Sequence, residues 1–151
     1  MARSKFLRPE DLYGRECISY MRWSTATQSE GDSERRQREA HNRIFEYFRL
    51  VPARIMVERG LEAVADRGLS ASKGHHVKRG NLGTLMQDVE HGEVAKGTVL
   101  AIEAFDRLDR RGMLDVFEVL RTLIQTHGLL IVTGDLTIWG PAEIDSPLNQ
   151  S

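Results

Sequence analysis

Three short apolar runs limit this chain more than any other feature: ECISYMR at residues 16–22, TVLAIEAF at 98–105 and LLIVTG from 129. Each is strand-like in length and too continuously apolar for a sheet face open to water, which predicts strands buried on both faces. Segments of helical period lie between them. From an N-cap at Asp32 or Ser33, the residues Ala40, Ile44, Phe45 and Phe48 recur at helical spacing up to Pro52. Leu82, Leu85, Met86 and Val89 repeat that spacing, as do Met113, Val116, Phe117, Leu120, Leu123 and Ile124 before a stop at Gly128. Strands alternating with helices predict an α/β fold: a mostly parallel central sheet of about four strands with helices on both faces. The fourth strand is placed at LEAVAD, inside the ambiguous stretch ARIMVERGLEAVADRG. Residues 67–80, with three glycines and no apolar stripe, read as a long loop of the kind that is functional or mobile.

Within 151 residues, 40% hydrophobic and 28% charged, that pattern suits one domain at 16–140, preceded by an extension at 1–15 and followed by a polar tail at 141–151. A formal net charge of −1 gives the molecule no overall field for polyanions, so any such site must be local. The one cysteine, Cys17, sits inside an apolar run, which excludes an internal disulfide and fits a packed thiol in a reducing compartment. No signal-peptide core and no run of eighteen apolar residues is present, so the expected location is cytoplasmic, without a membrane partner.

Chemistry concentrates in two places. YMRWSTATQ puts Tyr20, Arg22 and Ser24 on alternate positions where the first strand ends, and strand ends of that kind border the ligand crevice of open α/β sheets. FDRLDRR, residues 105–111, leaves another strand at the same edge and runs into a helix. Arginines in a helix's first turn oppose the macrodipole, at about 0.3 to 1 kcal/mol each, and a phosphate would offset that cost. Arg107 and Arg110 lie three apart, and Asp106 is placed to hold a guanidinium. A serine facing arginines suits attack on a phosphodiester, with no metal required. Each piece alone also has an ordinary reading, Ser24 as a turn former and DRLDRR as a solvated helix start. The histidines, including His75 and His76, lack metal-ligand spacing, and neither a phosphate-loop nor a dinucleotide-binding glycine motif is present.

YMRWST, SERRQ, ADRGLSA, KRGNLGTLMQDVEHG and FDRLDR, in that order from about residue 16 to 137, resemble the catalytic domain of the serine recombinases, the resolvase and invertase family. The resemblance implies site-specific DNA recombination by a metal-independent enzyme without a cofactor. Ser24 would attack DNA, forming a 5′-phosphoseryl link and releasing a 3′-hydroxyl. Arg22 matches the first active-site arginine, with Tyr20 beside it in the motif. Gln37 matches a glutamine early in the first helix, Asp66 an aspartate before the mobile loop, and Arg79 an arginine opening the second helix. Asp106, Arg107 and Arg110 match D-R-L-x-R, whose arginines bind the scissile phosphate. Asp109 departs from the small residue usual there and adds a carboxylate near the phosphate. The implied partners are double-stranded DNA at a recombination site and further copies of the full-length protein, as a dimer or tetramer. In the family a long helix and a DNA-binding region follow, and this chain ends before both. Large integrases and transposases are among the implied types. The rival readings are a degenerate assembly module and a phosphodiesterase or nuclease.

Overall fold

The computed structural model describes residues 6–23, 27–61, 63–67, 81–104 and 118–145. Its centre is β1, Glu16–Trp23, flanked on one side by β4, Val99–Ile102, in parallel register that sets Cys17 against Val99 and Ser19 against Ala101. The short β2, Val51–Pro52, pairs with the start of β1, and β3, Val64–Arg67, pairs with its end, both parallel. Beyond β4 comes β5, Leu130–Thr133, parallel, and then β6, Ile138–Trp139, antiparallel. The path is β2-β1-β4-β5-β6, with β3 attached to β1.

Alternation along the strands divides the core in two. Ile18, Tyr20, Leu100, Ile102 and Ile131 face one cluster, which holds Leu85 and Val89 of α3, Asn81–Glu90, together with Leu120, Leu123 and Ile124. Cys17, Val99, Ala101 and Val132 face the other, against Ile44 and Phe48 of α1, Thr27–Tyr47. Helices therefore cover both faces, as the apolar strands require. The Arg59 guanidinium, just past α2, Arg54–Glu58, grips Asp88 of α3 at 2.7 and 3.0 Å.

Several boundaries differ from the sequence expectation. α1 begins at Thr27, earlier than Asp32 or Ser33, because its opening turns are polar and carry no apolar period to mark them. The strand expected at LEAVAD lies at Val64–Arg67, and the two-residue strands β2 and β6 make the sheet larger than four strands. Residues 141–145, read as the head of a polar tail, form α4, Pro141–Asp145, with Ile144 buried in the core. The segment before β1 is also packed: a 3-10 turn, Pro9–Leu12, buries Leu12, and the Leu7 N–H donates to Glu143 at 2.7 Å. Residues 68–80 lie outside the described residues, so the loop expectation there stays a sequence reading.

The helix expected to stop at Gly128 passes from α-helix at 118–121 into a π-helical turn, Thr122–Thr126, where the His127 N–H reaches back to Thr122. Gly128 then takes φ +74° and its carbonyl accepts from Gly97 at 2.7 Å. A Cβ there would also press on the Lys96 side chain at 3.1 Å. Gly128→Ala is expected to cost about 1 to 2 kcal/mol, seen as a lower urea midpoint at unchanged slope.

Candidate active site

Because β1, β3, β4 and β5 are mutually parallel, their C-terminal ends share one edge of the sheet. Tyr20 and Arg22 are among the last four residues of β1, and the β1 to β3 register sets the α-carbon of Arg22 beside that of Asp66. Two of the expected site residues thus become neighbours although they are 44 positions apart. Tyr20 is 0% exposed and lies in the core with Met56, Val64 and Leu85, so its place is to support the edge from beneath. Ser24, Arg79, Asp106, Arg107, Asp109 and Arg110 lie outside the described residues.

α1 runs back over the opposite face, so its earlier residues lie toward this edge. Its inward stripe changes character on the way: Phe48 and Ile44 are apolar, while His41 and Gln37, also buried, are polar. Gln37 is 0% exposed. Buried polar groups need a reason, and here they collect where the sheet presents its strand ends.

His41 carries the clearest electrostatic signature. It is 4% exposed and neither ring nitrogen makes a well-formed hydrogen bond to the described residues. Burial pushes its pKa down to about 4; the Glu103 carboxylate and the Tyr20 carbonyl oppose that shift, and Arg38 adds to it. The ring is therefore neutral at pH 7. Cys17, below it on β1, is buried and its thiol is pushed up well above the ordinary value, which makes it a packing group.

Sequence reading alone missed the way this edge is fastened. Glu103, the first residue after β4, accepts a two-point guanidinium fork from Arg36 of α1. Its own carbonyl accepts from the Gly134 N–H at 3.0 Å, and the Gly134 carbonyl in turn accepts from Arg43 Nη2 at 3.2 Å. Two arginines seven positions apart on α1 thus hold the exits of β4 and β5. In the turn after β5, Asp135 accepts from the Thr133 hydroxyl at 2.6 Å and from the Thr137 N–H at 3.2 Å. Those bonds, led by the Thr133 hydroxyl, hold its carboxyl below the usual range. A charged residue closing an apolar strand and a histidine in a helix's apolar stripe were the signals available for Glu103 and His41. Their partners are tertiary and left no trace in the sequence.

The arrangement offers a parallel edge, an arginine and an aspartate in register on adjacent strands, and braced exits at β4 and β5 suited to a ligand site. No helix among the described residues is long and apolar enough to cross a membrane. Residues 17–146 match the model of a family described as Resolvase, N terminal domain. The chain is also similar to a protein of Escherichia coli (strain K12), Uncharacterized protein YbcK, at 33% identity over 138 residues. That stretch is 88% of this chain and 25% of the relative, so the chain spans a quarter of the length of the curated protein it matches.

Proposed function

The chain belongs to the resolvase N-terminal domain family, and from that premise we propose that it is the catalytic domain of a serine-type, site-specific DNA recombinase. Ser24 Oγ attacks the scissile phosphorus and gives up its proton. The bond from phosphorus to the 3′ oxygen breaks, and that oxygen takes up a proton as a 3′-hydroxyl. The 5′ end stays joined to Ser24 as a phosphodiester, so the energy of the broken bond is kept for rejoining to another 3′-hydroxyl. Arg22, Arg107 and Arg110 neutralise the charge that grows on the non-bridging oxygens, and Asp106 orients a guanidinium. Tyr20, Gln37, Asp66 and Arg79 support the edge and the neighbouring backbone. Double-stranded DNA and further copies of the parent protein are the partners this chemistry implies.

One observation carries the reading. β1 and β4 are adjacent parallel strands, and in the sequence the Y-x-R-x-S motif closes the first while D-R-L-x-R follows the second by a few residues, which supports the two motifs serving one site. Neither a solvated helix start nor an isolated turn serine requires that adjacency.

The test is to incubate the full-length protein carrying this chain with fragmented genomic DNA of its source, without divalent metal, and to denature before capture. Protein covalently joined to 5′ ends at a recurring sequence, with free 3′-hydroxyls, is the expected result. Cleavage that needs magnesium and leaves no adduct would favour the nuclease reading.

A further inference from the structure

We propose that Glu103 is a positioning residue for strand cleavage, clamping the β4 exit, three residues ahead of the D-R-L-x-R motif in sequence, to α1 through Arg36 and to the β5 exit through Gly134; this rests on the recombinase reading above. Asp106 follows Glu103 by three residues, a length of chain that spans at most about 10 Å. Whatever fixes Glu103 therefore limits where Asp106 and Arg107 can stand.

Glu103 is fixed from two sides. Arg36 Nε donates to Oε2 and Nη2 to Oε1, the latter at 3.4 Å, and a planar fork of this kind sets direction as well as distance. The Glu103 side chain is only 15% exposed against 55% for Arg36, so the pair is partly shielded from water on the carboxylate side. On the backbone, Glu103 O accepts from Gly134 N at 3.0 Å. A side chain would crowd that approach: a Cβ on Gly134 would stand 3.0 Å from Glu103 O and 3.4 Å from the Ala40 Cβ. Arg43 completes the frame at the Gly134 carbonyl.

The clamp sits outside both core clusters. Its removal should leave the sheet folded and loosen the strand exit. A group needed only for stability would behave in the opposite way.

Glu103→Gln keeps the size and loses the charge. In the free full-length protein, amide exchange in peptides covering 103–110 is expected to quicken about tenfold, with peptides from β1 and β5 unchanged. In single-turnover cleavage of the captured DNA, the rate is expected to fall about ten- to a hundredfold, the scale of a small misplacement of reacting groups, with duplex affinity within about twofold. The charge swap, Arg36→Glu with Glu103→Arg, is expected to recover much of both. A variant that exchanges and cleaves like the parent overturns the proposal, as does a rate loss that tracks melting temperature with exchange rising across the whole sheet. Failure of the recombinase reading looks different: the parent itself forms no adduct, and the exchange measurement then still decides whether Glu103 holds the segment.

Discussion

On the recombinase proposal, Ser24→Ala is expected to abolish the covalent protein–DNA adduct of the full-length protein while leaving duplex affinity within about twofold, since a neutral hydroxyl adds little beside charged contacts to phosphate. In the sequence Ser24 directly follows Trp23, the last residue of β1, on which the α-carbon of Arg22 pairs with that of Asp66. Alanine removes the oxygen proposed to attack and leaves the sequence of β1 unchanged. The companion substitution is Arg107→Lys. It keeps the charge and loses the planar fork, which is expected to slow cleavage roughly a hundred- to a thousandfold, about 2.7 to 4 kcal/mol, with the adduct still formed at long times. Denaturing gels run over a time course separate the two outcomes. An adduct that persists in Ser24→Ala would move the nucleophile elsewhere.

Acid should act on this domain through His41. The folded pKa of about 4 lies below the ordinary 6.5, so between those values the unfolded chain holds a proton that the folded chain refuses. The stability tied to the neutral ring is thus fully present above pH 6.5 and is lost as pH falls to 4, a drop of about 3 kcal/mol. The groups facing the ring act on it in both directions: Glu103 from the β4 exit favours protonation and Arg38 on α1 opposes it. Carboxylates such as Asp135 add their own acid sensitivity, so the decisive measurement is a difference. Urea titrations of the parent and of His41→Leu across pH 7 to 4 should diverge by about 3 kcal/mol at the acid end, with the leucine variant falling less. Parallel curves would show that His41 finds a partner that accepts its proton.

What could be read from the sequence follows physical rules. β1, β4 and β5 were legible because strands buried on both faces must be apolar throughout, and the alternation with helices then fixed a parallel sheet with two covered faces. β2 and β6, two residues each, are too short to show any period. The first turns of α1 and all of α4 are polar in sequence, and only packing tells that Ile144 is buried. At the site, the order of motifs pointed to Arg22 and Asp66, and strand register made them neighbours. Glu103 with Arg36 was hidden, since a pair 67 residues apart depends on how α1 folds back over the sheet.

The two ends of the sheet path bear on how copies of this chain could meet. β2 is two residues long and includes Pro52, which has no N–H to offer, while β6 is equally short and turned against its neighbour. Among the described residues these two borders offer an incoming strand little ladder to extend, which disfavours edge-to-edge growth through β2 or β6. Under the recombinase proposal, copies of the chain would then meet more readily through helix surfaces than through β2 or β6, and such contacts can part and re-form without unzipping a strand.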